Sequence, residues 1–216
     1  FRNIIINGDM SIAQRGTSAS AISNGYSTCD RWRTQRQIGA FTQSQSTDVP
    51  SGQGFANSLK MDCTTADASP SSSNQLSIHQ RIEGQMLQYI KKGTSNAESL
   101  TMSFWVKSNK TGTYTAEIFD EDNTRQISKT YTISSADTWE KKTITFEGDT
   151  TGTLDNDNAR SFEVTWWLGA GSNFTSGTLN TTWNSNTTAN RVSSSQVNIA
   201  DSTSNEWYIT GVQLEA

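Results

Sequence analysis

The 216 residues contain one histidine, two cysteines and no apolar run near the roughly 18 residues that a membrane-spanning helix needs. With His79 alone, multi-histidine metal sites and the HExxH pattern are excluded. No GxSxG elbow, GxxxxGK[ST] phosphate loop or GxGxxG fingerprint occurs, so the common hydrolase and nucleotide-binding chemistries have no sequence support. Cys29 and Cys63 lie too far apart for a CxxC motif. Two free thiols, in a chain folded in a reducing cytoplasm, are the expectation. Positive charge is also scarce: 17 Lys and Arg against 21 Asp and Glu leave a net charge of −4, which repels phosphate backbones. The largest basic clusters, Arg31, Arg33 and Arg36 around Trp32 and the pair Lys91 and Lys92, are too small for a nucleic-acid groove. The opening residues, FRNIIING, show no signal-peptide pattern, and no membrane insertion is expected.

What the chain does have is Ser, Thr and Asn in abundance together with seven Trp, five Tyr and eight Phe. Short polar residues favour turns and strand surfaces, while the large rings supply a core that the 32% hydrophobic content would otherwise leave thin. The periodicity is two almost throughout. Met102, Phe104 and Val106 share one face, as do Phe162, Val164, Trp166 and Leu168, and Leu59, Met61 and Cys63. TYTAEIFD and SKTYTIS, joined by the acidic turn Asp120 to Asn123, read as a hairpin. In the last segment, Tyr208, Thr210, Val212 and Leu214 fall on one side and Trp207 and Ile209 on the other, with Gly211 a candidate bulge. A helical pattern occurs once, at about 84–92, where Met86, Leu87 and Ile90 align ahead of Gly93. The expectation is an all-β chain: one sandwich domain over 1–216, two antiparallel sheets and one short helix. Residues 169–205, rich in Ser, Thr, Asn and Gly, read as a long polar loop, and connections beyond about 15 residues are usually functional or mobile.

Catalytic candidates are few. His79 follows Leu76 and Ile78 in a strand-like run and reads as structural. Asp120, Glu121 and Asp122, then Asp155 and Asp157, with Glu83, are the carboxylates from which a glycosidase pair could be drawn, but the first two groups sit in turn-like contexts. DNDNAR, 155–160, begins like a calcium loop but carries Arg160 where that loop requires Gly. Sugar recognition draws on flat aromatic faces beside amides, because a pyranose has an apolar C–H face ringed by hydroxyls. Trp183, with Asn180, Asn184 and Asn186 nearby, fits that description, and so does an anchor for its own loop. Trp105 and Trp167 point away from the inferred core and could line a glycan face, a subunit interface or an inter-sheet contact.

Seven blocks carry a resemblance. NIIINGDMSIAQRG (3–16), DRWR (30–33), QRIEGQ (80–85), SLTMSFWVKS (99–108), TWEKKTITF (138–146), WWLGAGSNF (166–174) and WYITGVQLE (207–215) are similar, in order, to the terminal domains of phage tail fibres of the marine and cyanobacterial type. The resemblance implies a jelly roll like those of carbohydrate-binding modules and a homotrimer joined to the rest of a tail fibre on the virion. It also implies adhesion, without hydrolysis, to host cell-surface polysaccharide or lipopolysaccharide. No cofactor is implied. Related jelly rolls hold a structural calcium with an acidic residue just before the final strand's Val, but Gly211 stands there, and the calcium is not carried over. Both terminal blocks look like scaffold, which leaves recognition to Trp183, Asn180, Asn184, Asn186 and Trp167. A purely structural fibre or capsid-decoration module, and a tailspike-like depolymerase, are the alternatives.

Overall fold

A computed structural model describes residues 3–216. Two antiparallel sheets pack face to face as a jelly-roll sandwich. One runs β1 (Ser18–Ala19), β4 (Ala40–Ser46), β5 (Ser58–Thr65), β13 (Glu206–Glu215), β7 (Leu100–Ser108), β10 (Glu140–Phe146). The other runs β12 (Asn184–Ser185), β9 (Arg125–Ile133), β8 (Gly112–Asp120), β11 (Arg160–Ala170), β6 (Gln75–Glu83), β3 (Arg33–Arg36), β2 (Gly25–Tyr26). The predicted inward rows of β5, β7 and β11 are buried between the sheets. Rings bridge the gap: Phe104 of β7 lies 5.8 Å from Trp166 of β11 and 5.1 Å from Tyr131 of β9. Each such side chain contributes about 1.5 to 3 kcal/mol by leaving water, which is how a polar chain sustains a core. Cys29 and Cys63 are buried with free thiols, and burial pushes Cys29 up to about 11.

Two local expectations change. The bulge at Gly211, whose φ is +61°, shifts the register of β13 against β7 between Thr210 and Gln213. One extra residue reverses the alternation, so Trp207, Ile209, Val212 and Leu214 all face the core, while the expected grouping of Val212 and Leu214 with Tyr208 and Thr210 does not hold. The helix expected over 84–92 is instead two successive 3₁₀ turns, 84–86 and 88–90, closed by Leu87 N–H to Gly84 O (2.9 Å) and Ile90 N–H to Leu87 O (3.0 Å). Leu87 and Ile90, three apart, are buried together by a three-residue turn, and left-handed Lys91 (φ 53°) then redirects the chain inward.

That redirection seats Lys92. Its side chain is 2% exposed, and the ammonium meets Asp120 at 2.6 Å, Asp149 at 3.1 Å, and the carbonyls of Thr151 and Gly152 at 2.8 Å each. Arg125 holds Asp149 from the other side at 2.7 and 3.0 Å. Burial would raise the Asp149 carboxyl, but Arg125, the Thr151 N–H and Lys92 together hold it below its usual range.

The two ends of the chain close the sandwich. Ile4 N–H donates to Leu214 O and Val212 N–H to Gly8 O, both at 2.9 Å, and the Asn3 side chain bonds Val212 O and Leu214 N–H. The buried Gln80 amide of β6 accepts from Ile6 N–H at 2.8 Å and donates to Ile6 O at 2.9 Å. A Cβ on Gly8 would run into the Val212 carbonyl, so only glycine permits this approach.

Removing the Lys92 ammonium leaves the buried Asp120 carboxylate without its cation, while Asp149 keeps Arg125. Lys92→Met is expected to cost about 3 to 5 kcal/mol in urea unfolding, and adding Asp120→Asn to recover part of it. An unchanged midpoint for the single variant would contradict this role.

Candidate functional site

In the polar stretch 169–205, Phe174, Arg191 and Val192 pack over Trp167 and Glu117 on the outer face of the second sheet, while Trp183, Ile199 and Ala200 pack on the core between the sheets. The stretch holds α1 (Ser172–Thr175), strand β12 and two 3₁₀ turns, 188–190 and 199–201. Beneath it Arg191 clamps fully buried Glu117 at 2.8 and 3.0 Å, and the Trp167 indole N–H donates to the same carboxylate at 2.9 Å. Phe174 covers Trp167 at 5.4 Å. Trp167 is therefore 1% exposed and cannot meet a ligand, contrary to the sequence expectation: it points away from the core, as its parity required, but the long loop covers it.

The other expected contacts also serve the loop. Asn180 is buried; its carbonyl accepts from Ser128 N–H at 2.8 Å and its N–H donates to Asn190 O at 3.0 Å. Asn186 N–H donates to Thr124 O at 2.9 Å, and the exposed Asn184 side chain donates to Thr182. The Trp183 ring stacks on Phe162 at 5.9 Å and packs within 5.5 Å of the Lys92 ammonium, while its indole N–H donates to Glu147 O at 2.7 Å. These bonds give Trp183 an anchoring role.

An opening does exist at the far edge of the same sheet. A cavity of about 480 Å³ is lined by Ile6, Asn7, Ile12, Gln14, Arg15, Tyr26, Asp30 and Arg31. A second, of about 200 Å³, adjoins it through Tyr26 and Arg31 and continues along Arg81, Ile82, Glu83, Asn158 and Arg160. Tyr26 stands between them, 42% exposed on the edge strand β2, with the Arg15 guanidinium 5.4 Å from its ring centre. Ile12 (48%) and Ile6 (37%) are exposed beside it. The cleft thus offers one accessible aromatic ring, two aliphatic surfaces and a rim of fixed donors and acceptors.

The rim is fixed by ion pairs. Arg31 grips Glu83 through two bonds of 3.0 Å and also reaches Arg81 O at 3.1 Å; Arg15 holds Asp30 at 3.2 Å. The Arg31 hydrogen bonds hold the Glu83 carboxyl below its usual range, which suits a hydrogen-bond acceptor and not a general acid. Asn7 (φ 55°) is the hub: its side chain bonds Ile12 N–H and O and Asp30 O, and its carbonyl accepts from the buried Trp32 indole at 2.9 Å. The lining loop is in this way tied to the core.

Below the rim, Tyr26, Arg33, His79, Thr165 and Glu117 lie side by side across β2, β3, β6, β11 and β8, with Arg81 and Glu163 paired in the next row. His79 is 2% exposed, and Arg33 donates to its Nε2 at 3.2 Å, which places the ring proton on Nδ1. Burial lowers His79 to about 4, against the pull of Glu163 and with the added push of Arg33, Arg81 and Arg160, so the ring is neutral at pH 7. It is structural in position, as expected, although Nδ1 has no partner among the described residues.

The carboxylates considered for catalysis are already engaged in structural bonds. Asp120 is committed to Lys92, Asp122 accepts from Asp155 N–H at 3.0 Å, and Asp157 accepts from Ala159 N–H at 2.9 Å. No group of three or more His, Cys, Asp or Glu arranged to hold a metal ion occurs among the described residues. Of the cleft residues, sequence reading had singled out only Arg31, as part of a basic cluster, Glu83 and Arg160. Tyr26 carried no motif, and Arg15 and Arg81 fell within the NIIINGDMSIAQRG and QRIEGQ blocks without a site role.

No protein-family model and no curated protein sequence matches the chain. Solved structures are similar in fold. A putative sugar binding protein from Bacteroides thetaiotaomicron matches over 99% of both chains with a TM-score of 0.51 at 13% identity. The enzymatically active domain of a tailspike protein from Bacteriophage CBA120 matches 98% of this chain with a TM-score of 0.49 at 15% identity, and the chain spans 21% of that protein. A family 11 carbohydrate-binding module from Clostridium thermocellum, in complex with a mixed-linked tetrasaccharide, matches 92% of this chain and 95% of its own with a TM-score of 0.42 at 12% identity.

Two outcomes follow from this geometry. Trp183→Ala removes a stacked, hydrogen-bonded anchor and is expected to cost about 2 kcal/mol or more in stability; an unchanged melting temperature would free Trp183 for another role. For His79, the folded value of about 4 lies below the unfolded 6.5, so the unfolded state binds more protons between them. The associated stability is present above pH 6.5 and lost as pH falls towards 4, up to about 3 kcal/mol. Urea unfolding across that window should show a shallower slope for His79→Gln.

Proposed function

We propose that the chain is a glycan-recognition domain at the end of a phage tail fibre, and that the Tyr26 cleft is where it meets the sugar. The observation that carries the proposal is an exposed aromatic ring flanked by ion-paired arginines and carboxylates in an open cleft. Such a ring offers a flat surface to the apolar face of a pyranose, and held guanidinium and carboxylate groups address the hydroxyls at its edge. The jelly-roll architecture is consistent with that use, and the ordered blocks from NIIINGDMSIAQRG to WYITGVQLE supply the tail-fibre setting.

Binding without hydrolysis is the reading the cleft supports. Its two lining acids, Asp30 and Glu83, are each engaged by an arginine, whereas glycoside hydrolysis requires a carboxyl that keeps its proton near neutral pH. A single shallow site binds weakly; presentation in a homotrimer would raise avidity through effective concentration. The partner is host surface polysaccharide or lipopolysaccharide, and the setting is the virion tail.

Tyr26→Ala is expected to reduce retention on host envelope polysaccharide by about tenfold or more, the equivalent of one aromatic contact. Because Tyr26 is 42% exposed on a two-residue edge strand, the melting temperature should hardly change. Unaltered retention would remove the cleft from the proposal, and a shortened polymer after incubation with the protein would overturn the non-hydrolytic reading.

A further inference from the structure

Arginines are concentrated at the cleft to a degree the whole-chain charge does not suggest. Of nine arginines in the sequence, Arg15, Arg31, Arg81 and Arg160 line the two cavities and Arg33 lies in the strand row beneath. No lysine lines either cavity. Four carboxylates stand against these five guanidinium groups: Asp30 and Glu83 in the lining, Glu163 between Arg81 and Arg160, and Glu121 on Arg160. One cation is left over on a chain of net charge −4. Arg33 has no carboxylate partner among the described residues and leans on the neutral His79 ring.

Arg81 is the more accessible donor. Its side chain is 37% exposed and uses only Nε, to Glu163 at 3.0 Å, so both terminal amino groups are uncommitted among the described residues. Arg31 and Arg160, 35% and 29% exposed, stand beside it around the 200 Å³ cavity. Glu83 would repel an incoming anion, but Arg31 already engages both its oxygens. A guanidinium fork held in place by its Nε matches the planar geometry of a carboxylate, which a lysine ammonium does not.

We propose that the Arg31, Arg81 and Arg160 side of the cleft receives the carboxylate of an acidic sugar, so that the recognised glycan is a uronate-bearing polymer whose ring rests on Tyr26. This rests on the glycan reading above and adds the chemical class. The negative surroundings then work for selectivity: attraction is confined to the arginine pocket, and an anionic polymer is held only where a carboxylate reaches it.

The test uses the full chain and an immobilised panel of glucuronate, galacturonate and mannuronate oligosaccharides, each beside its carboxyl-reduced neutral counterpart. At least one acidic member is expected to bind, with carboxyl reduction weakening it by about tenfold or more, the scale of a charge-assisted bidentate contact. Binding should also weaken between about 0.01 M and about 1 M salt, as the screening length falls from about 30 Å to about 3 Å. Arg81→Gln should abolish the preference for the acidic form without lowering the melting temperature. Equal binding of acidic and reduced forms would overturn the acidic class and leave glycan recognition standing. An acid preference that survives Arg81→Gln would overturn the placement, and silence across both halves of the panel would overturn both.

Discussion

The structure depends on the seam between the two ends of the chain. Residues Asn3 to Gly8 are laced by backbone hydrogen bonds to Val212 and Leu214 and by the Gln80 amide to the opposite sheet, so they close the sandwich and join its layers. Because Gln80 is fully buried, its amide has no water to fall back on, and leaving it unpaired would cost about 1 to 3 kcal/mol. The same segment then turns at Asn7 and supplies Ile6 and Ile12 to the cleft. A lining segment that hangs from the core in this way is preorganised, and little ordering entropy is left to be spent on ligand binding.

A second theme is the pairing of buried charge. Lys92 sits among four oxygens from Asp120, Asp149, Thr151 and Gly152, and Arg191 and Glu117 meet beneath the 169–205 segment. In both places a long polar connection is pinned by an ion pair whose carboxylate is buried. Such pairs add little net stability compared with an apolar replacement, but each is costly to break singly. The Arg191–Glu117 pair holds the 169–205 segment over part of the outer face of the second sheet, and the arginine cleft lies towards the opposite edge of that sheet.

The fold was legible wherever local alternation decides burial. The inward rows of β5, β7 and β11 and the β8–β9 hairpin follow from period-two patterning, because successive strand side chains must face opposite sides. Legibility ended where one residue changes the count. Gly211 was recognisable as a bulge, yet its effect on Val212 and Leu214 depends on which partner strand it faces. The turns at 84–90 resembled a helix because Leu87 and Ile90 fit a spacing of three or four, and the buried acids that draw Lys92 inward lie far along the chain.

For the site, the sequence by itself determined the kind of surface available: aromatic rings, amides and ion pairs on an all-β frame, with one histidine and no catalytic motif. It also determined that Trp167 points away from the core. Only the tertiary structure decided that this outward ring is covered and that Trp183 turns towards Lys92 and Phe162. The same holds for the gathering of Tyr26, Arg31, Arg81 and Arg160 from three separate segments around one cleft. The physical reason is that alternation specifies which way a side chain faces but not what covers it. Cover and convergence are set by strand order and by long-range ion pairs, and neither leaves a periodic trace in the chain.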